Sequence, residues 1–472
     1  MKVKPLSGHV PVNSYCQKPE NLKPVDFVYR PTRRRFLQAF GVVAGATILP
    51  FLLPSNTRAV EGSGVVPPHA LRFTTPDQTD PGHKLVVIFM QGGLSFFDTF
   101  DPKQNSPYGI IQTASPDIRF SEILEPLAKH ANNFVVINTL RGGNGFHDQG
   151  AALVLTSSSM VNGTAFYSPS IYTNPFVEFS NLLTNQGTGQ AGYAVLHQNT
   201  NDVHGYNRSW VQPWDAVKHN DPVTIYAPYS ERTGIFTSPI PVNTSISQEA
   251  LNENFELLDV FNSGSNITGS SAERHDISYA QARNLLNGNF NSVYDLDREP
   301  ASIKDLYGNS KVGRQFLTVR RLLEAGVRVV LANDGNYDHH RNMKGDMDAM
   351  LTPFAVALSA LIEDINQRIN EKTFIVIISE FGRTPYINNA HGRDHWVDAY
   401  GMVVISNDSD EINGGRTIGA TNNSGRPIGR SYNASMVGDS IINLLKLGRY
   451  QTRGNVVTGI RFPYIDIKNE NN

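Results

Sequence analysis

Cysteine is almost absent. The single Cys16 in 472 residues excludes an intramolecular disulfide and any cysteine-based zinc site. A bound metal would have to be held by His, Asp, Glu, Asn, Ser or Thr. A charge excess is also lacking: 41 Lys and Arg stand against 43 Asp and Glu, a net of −2. That balance argues against a dedicated nucleic-acid binder, which would carry a basic surplus. We find no internal repeat. The uncharged apolar run Ala39–Leu53 contains Gly and Pro and falls short of the ~20 residues a membrane span needs. What is present is ample apolar material, 40% hydrophobic against 18% charged, which excludes wholesale disorder. Gly 39 and Pro 27 point to long connections between core elements.

The N-terminal region reads as an address. Arg33-Arg34-Arg35 is followed by Phe36-Leu37-Gln38 and then by the Ala39–Leu53 run. Twin arginines ahead of a moderately hydrophobic segment are the pattern of a twin-arginine (Tat) export signal, placed here at about residues 30–59. Thr57-Arg58-Ala59 offers small residues for cleavage, without an Ala-x-Ala. Residues 1–59 are therefore expected to be signal and leader, and 60–472 a single domain. The mature protein is expected to be periplasmic or secreted, without a membrane span, the Tat translocase being its partner during export.

Beyond the leader, apolar runs alternate with helical patterns. Strands are expected at 83–90, 133–137, near 192–196, at 326–331, 373–378 and 400–405. Helices are expected at 147–156, 273–290 and 311–325, across Met347 to Ile365 at 3–4 spacing, and at 439–445. The stretch 197–272, with His204, Tyr206, Trp210 and Trp214, shows no sustained period and reads as an irregular insertion or cap. The alternation predicts an α/β sandwich on a mainly parallel sheet.

In such sheets ligands bind beyond the carboxyl ends of the strands, and there the polar residues gather. Gln91-Gly92-Gly93 and Asp98 follow the first strand, and His147 follows the second. Asp334, Asp338, His339 and His340 follow the 326–331 strand, and Ser379-Glu380-Phe381-Gly382-Arg383 follows 373–378. Arg393, Asp394 and His395 precede the 400–405 strand. Each piece alone has a structural explanation as a capping turn, an internal ion pair or a solvated loop. Their alignment on one sheet edge favours a site. Histidine with carboxylate suits Zn, Mn or Fe rather than Mg or Ca.

The segments MQGGLSFFDTFDPK (90–103), HDQGAALVLTSS (147–158), GNYDHHRN (335–342), SEFGRTPYIN (379–388), GRDHW (392–396) and GGRTIGATNNSGRPIG (414–429) resemble the domain-of-unknown-function family numbered 1501. The resemblance spans roughly residues 70–450, in order. It implies export and a place in the alkaline-phosphatase-like superfamily, hence a three-layer sandwich with inserted cap segments. That superfamily sets two metals and a Ser or Thr nucleophile at the carboxyl edge of a parallel sheet.

Carried onto this chain, the resemblance implies one metal site from Asp338, His340 and His395, with His339 competing for the second position. Glu380 and Asp394 fall in or behind that site, and Asp98 lies near the first-strand position of a second one. The histidine of the second site is replaced by Phe381, so one divalent metal is expected rather than two. His147 stands at or near the nucleophile position, where no hydroxyl is found. His147 is then an acid or base beside a metal-activated water, a nucleophile itself, or part of a site that binds without reacting. Arg383 and Arg393 are expected anion clamps. Two functions follow as expectations. One is a metal-dependent hydrolase of a small phosphate or sulfate ester. The other is a non-catalytic binding or assembly protein of the cell envelope.

Overall fold

The structure, a computed structural model, describes residues 71–73, 82–143, 145–156, 193–197, 224–230, 233–236, 247–263, 290–445, 450–452 and 465–470. The export signal at 30–59, all but the last residue of the helix expected at 273–290, and His204, Tyr206, Trp210 and Trp214 lie outside these residues.

A ten-stranded sheet organises the chain. Its strands are β1 (Lys84–Met90), β2 (Phe134–Arg141), β3 (Tyr193–His197), β4 (Thr224–Ser230), β5 (Ile235–Phe236), β6 (Val329–Asp334) and β7 (Thr373–Ile378), followed after a small hairpin by further members. The hairpin pairs β8 (Gly382–Arg383) with β9 (His395–Trp396). The last sheet strands are β10 (Tyr400–Ser406), β11 (Arg416–Ile418) and β12 (Tyr432–Asn433). The order is β11-β2-β10-β7-β1-β6-β3-β4-β5, with β12 also on β2. The run β7-β1-β6-β3-β4 is parallel.

β1, β6 and β7 are buried along their whole length. Their alternate side chains feed two separate cores. Val86, Ile88 and Met90 face one, Leu85, Val87 and Phe89 the other. A strand buried on both faces needs an unbroken apolar run, which KLVVIFM supplies. The first core is closed by α4 (Lys311–Glu324) and α5 (Met343–Arg368), the second by α1 (His147–Thr156) and α6 (Val437–Asn443). These are three layers, as expected. The remaining labelled helices are α2 (Gln248–Ser263) and the short α3 (Ala301–Tyr307).

In α5 the residues Met347, Leu351, Phe354, Leu358, Leu361, Ile362 and Ile365 are buried, while Met350 is only partly so. Burying one such side chain contributes roughly 1.5–3 kcal/mol. α5 is the one described helix long and apolar enough to cross a membrane by length and composition, and it packs here against α4 and the sheet core.

Two differences from the expected layout matter. The stretch 197–272, expected to be irregular, contributes β4 and β5 to the main sheet and the whole of α2. TIYAPYS is interrupted by a proline and polar residues, so its strand character comes from pairing with β3 rather than from an apolar run. And β10 runs antiparallel to both β7 and β2. A parallel neighbour would need a crossover. The chain instead turns through the β8–β9 hairpin and re-enters the sheet at once. The residues just before β10 therefore lie at the carboxyl edge of β7.

Candidate metal centre

Four chain segments meet at that edge. Asp338 and His340 come from the loop after β6, Glu380 follows β7, and Asp394 and His395 belong to the hairpin. His147 opens α1. Two glycines permit the approach. Gly92 has φ +111°, and a Cβ there would lie 2.5 Å from the Asp338 nitrogen, so the turn after β1 presses against the loop carrying Asp338. A Cβ on Gly150 would lie 2.7 Å from the Glu380 carbonyl oxygen, so α1 rests directly on that residue and delivers His147.

Asp338 is the centre. Its Oδ1 lies 3.1 Å from His395 Nε2 and 3.0 Å from His340 Nε2, and its Oδ2 lies 3.5 Å from His147 Nε2. The two Nε2 atoms of His340 and His395 are 3.0 Å apart. Donor atoms of His147, Asp338 and His395 all fall within 4.8 Å of one another.

The other nitrogen of each ring is anchored. His395 Nδ1 donates to the Gly145 carbonyl at 2.6 Å. His340 Nδ1 donates to Asp394 Oδ1 at 3.0 Å, and His147 Nδ1 to Glu380 Oε1 at 2.7 Å. A carbonyl can only accept, and so can an ionised carboxylate. In a neutral ring the Nε2 atom then carries the lone pair. Three lone pairs thus face a carboxylate, an arrangement that a cation resolves.

The donor set fits a metal on three counts. Nitrogen and carboxylate ligands suit Zn, Mn or Fe. The 3.0–3.5 Å spacings are close to the ~3.3 Å between ligands of a tetrahedral ion with bonds near 2.05 Å. And a histidine bonded behind to a carboxylate or carbonyl is the usual support of a metal ligand. Charge agrees: the cluster gathers three carboxylates, Asp338 against Arg383, Glu380 behind His147 and Asp394 behind His340, a preponderance of negative charge that a divalent ion offsets.

Without a cation, a proton takes its place. Burial opposes charge on His147, but hydrogen bonds to Asp338 and Glu380 and their charges outweigh it and raise the ring to about 9. Burial likewise opposes ionisation of Asp338, yet hydrogen bonds from His147, His395 and Arg383 and the Arg383 charge hold it far below the usual carboxylate range. Asp394 is held down mainly by its bond to His340.

Some expected site residues are placed elsewhere. His339 is buried with its Nε2 unpartnered among the described residues, 5.8 Å from the Tyr337 ring. Burial lowers it to about 4. Asp98 forms a sealed two-pronged pair with Arg393, Nε–Oδ2 2.7 Å and Nη2–Oδ1 2.9 Å, both side chains fully buried. Arg393 Nη1 donates to the Thr384 carbonyl. Arg383 is buried as well and donates to Asp338 and to backbone carbonyls. Neither guanidinium is presented to solvent as an anion clamp. Glu380 is buried behind His147, also accepting from Gly92 N–H at 2.8 Å. The Ser379 hydroxyl, absent from the expected set, sits 2.6 Å from Met90 O and 2.9 Å from Glu380 Oε2. Gly145, whose carbonyl orients His395, carries no chemical signal in sequence.

Among solved structures, similarity is distant. The zinc complex of the C-terminal periplasmic domain of EptC from Escherichia coli shares 11% identity, covering 83% of this chain and 88% of that one, with a TM-score of 0.37. The alkaline phosphatase of the Antarctic bacterium TAB5 shares 13%, covering 79% and 100%, with a TM-score of 0.37. The phosphonate monoester hydrolase of Agrobacterium radiobacter shares 11%, covering 78% and 74%, with a TM-score of 0.34. No curated protein matches the chain. Residues 83–435, three quarters of the chain, match the model of the family described as "Protein of unknown function (DUF1501)", the family expected from the motifs, and the chain belongs to it.

Proposed function

We propose that this chain is an exported, metal-dependent hydrolase of a small anionic ester, a phosphate or a sulfate. The observation that carries the reading is the convergence of three anchored imidazoles on Asp338. His147, Asp338 and His395 would hold the ion, with His340 beside them. A divalent ion there would lower the pKa of a water toward 7 and polarise an ester oxygen.

The chain's own residues do the rest. Glu380 and the Gly145 carbonyl hold His147 and His395 in the tautomer that presents Nε2. His340 is the most open of the three rings, 39% exposed against 13% for His147, so it borders the side from which a substrate enters. Its Nδ1 proton is held on Asp394. His147, expected as an acid, base or nucleophile, is read here as a ligand, since its Nε2 lies 3.5 Å from Asp338 Oδ2 and within the same donor cluster as His395. Export to the periplasm or beyond by the Tat route is supported by Arg33-Arg34-Arg35 and the run that follows.

A second reading has its own support: both expected anion clamps are consumed inside the fold, and Ser379 is buried and committed. These favour a metal-holding envelope protein that binds a partner without turnover. The test is hydrolysis of p-nitrophenyl phosphate and p-nitrophenyl sulfate by the metal-loaded protein, before and after chelation. Turnover that chelation and His395→Ala both remove supports the hydrolase. A loaded protein that cleaves neither supports the second reading.

A further inference from the structure

Arg383 does more than fill the interior. Its side chain is 1% exposed, yet it sits among oxygen atoms from three different strand ends. Nε donates to Gly93 O at 2.9 Å, and Nη2 to Gly92 O, both in the turn after β1. Nη1 donates to Arg393 O at 3.0 Å, in the hairpin just before His395. Nη2 also donates to Asp338 Oδ1, in the loop after β6. Nη1 comes within 3.4 Å of His340 Nε2. One planar fork thus ties the turn, the hairpin and the central carboxylate together, a match of geometry that a single ammonium point cannot reproduce.

We propose that Arg383 is a positioning residue for the metal: by donating to Oδ1, the oxygen that His340 and His395 also face, it fixes the rotation of the Asp338 carboxylate within the cluster that would hold the ion. This rests on the metal reading above. It replaces the anion-clamp role expected for Arg383, because a guanidinium saturated in this way has no edge to offer a substrate. Arg393 is the internal control. It is equally buried and lies on the same hairpin, but its side chain holds Asp98 and does not touch Asp338.

The test compares Arg383→Met, Arg383→Lys and Arg393→Lys in the mature protein. Two quantities are read: Zn2+ affinity by calorimetry, and the visible absorption of the Co2+-loaded protein, which reports ligand geometry. Removing an outer partner of a ligand typically lowers metal affinity by about 10–100-fold. Arg383→Met is expected to fall in that range with an altered Co2+ spectrum, and Arg383→Lys to recover part of the affinity. Arg393→Lys is expected to lower thermal stability while keeping parental affinity and spectrum. Should Arg383→Met not fold, Arg383→Lys alone carries the comparison, with weakened affinity and a shifted spectrum expected. Parental affinity and an unchanged spectrum in the folded Arg383 variants would overturn the proposal. A parent protein that binds neither ion would instead overturn the metal reading beneath it.

Discussion

Of two buried charged clusters among the described residues, around Arg320 and around Asp338, only one reads as a site. Around Arg320, opposite charges meet. Arg320 pairs with Glu299 at 2.5 Å, Glu324 at 2.5 Å and Asp364 at 3.5 Å. Arg321 joins Glu299, Arg368 joins Asp364 at 3.1 Å, and the Tyr307 hydroxyl donates to Asp364 at 3.0 Å. Here cations match anions. Around Asp338, acceptors meet acceptors, and the carboxylates outnumber the guanidinium. The lesson is that burial of charge does not mark function. Lone pairs aimed at lone pairs do, because such an arrangement is complete only with something between them.

Substitutions can break or sharpen this contrast. The largest effect is expected from Asp338→Ala, which removes the central ligand. Its metal affinity should fall by more than the roughly 10–100-fold cost of losing an outer partner, as read by calorimetry. Arg320→Met should do the reverse. It removes the cation that Glu299 and Asp364 share, leaving them only Arg321 and Arg368, and should lower stability by up to about 3–5 kcal/mol in denaturant unfolding, with metal uptake unchanged. Gly150→Ala links helix to site. Its new methyl meets the Glu380 backbone, so α1 must shift, at a cost of about 1–3 kcal/mol together with weaker metal binding.

The smallest expected effect is on pH dependence in metal-free protein. The folded value of His147, about 9, lies above its ordinary 6.5. The stability it supplies is full below 6.5 and is lost as pH rises toward 9. Glu299 behaves oppositely. Burial pushes it up, but the bonds and charges of Arg320 and Arg321 hold it below its ordinary 4.5. Its stability is present above 4.5 and is lost as pH falls below that value. Thermal unfolding of His147→Ala should therefore flatten only the alkaline limb, and of Glu299→Gln only the acid limb.

Much of the fold was legible. Doubly buried strands need long apolar runs, and β1, β6 and β7 have them. So was the edge on which the polar residues gather, because it follows from strand ends alone. Asp338, His340, His395, Glu380, Asp394 and His147 do come together there. The direction of β10 was not legible, since an apolar run carries no orientation. Nor was the fate of the arginines. Arg383 and Arg393 look alike in sequence, and only the packing shows that one faces Asp338 and the other Asp98. His339 and His340 are neighbours whose side chains diverge, one buried beside Tyr337 and the other turned to His395. Spacing could not decide between them.

The central claim is that the cluster around Asp338 holds a metal ion. Elemental mass spectrometry of the mature protein, purified without chelator and set beside His395→Ala, tests it most directly. The account predicts about one equivalent of Zn, Mn or Fe in the parent and its loss in the variant. A parent protein that carries no metal after exposure to all three ions would contradict it.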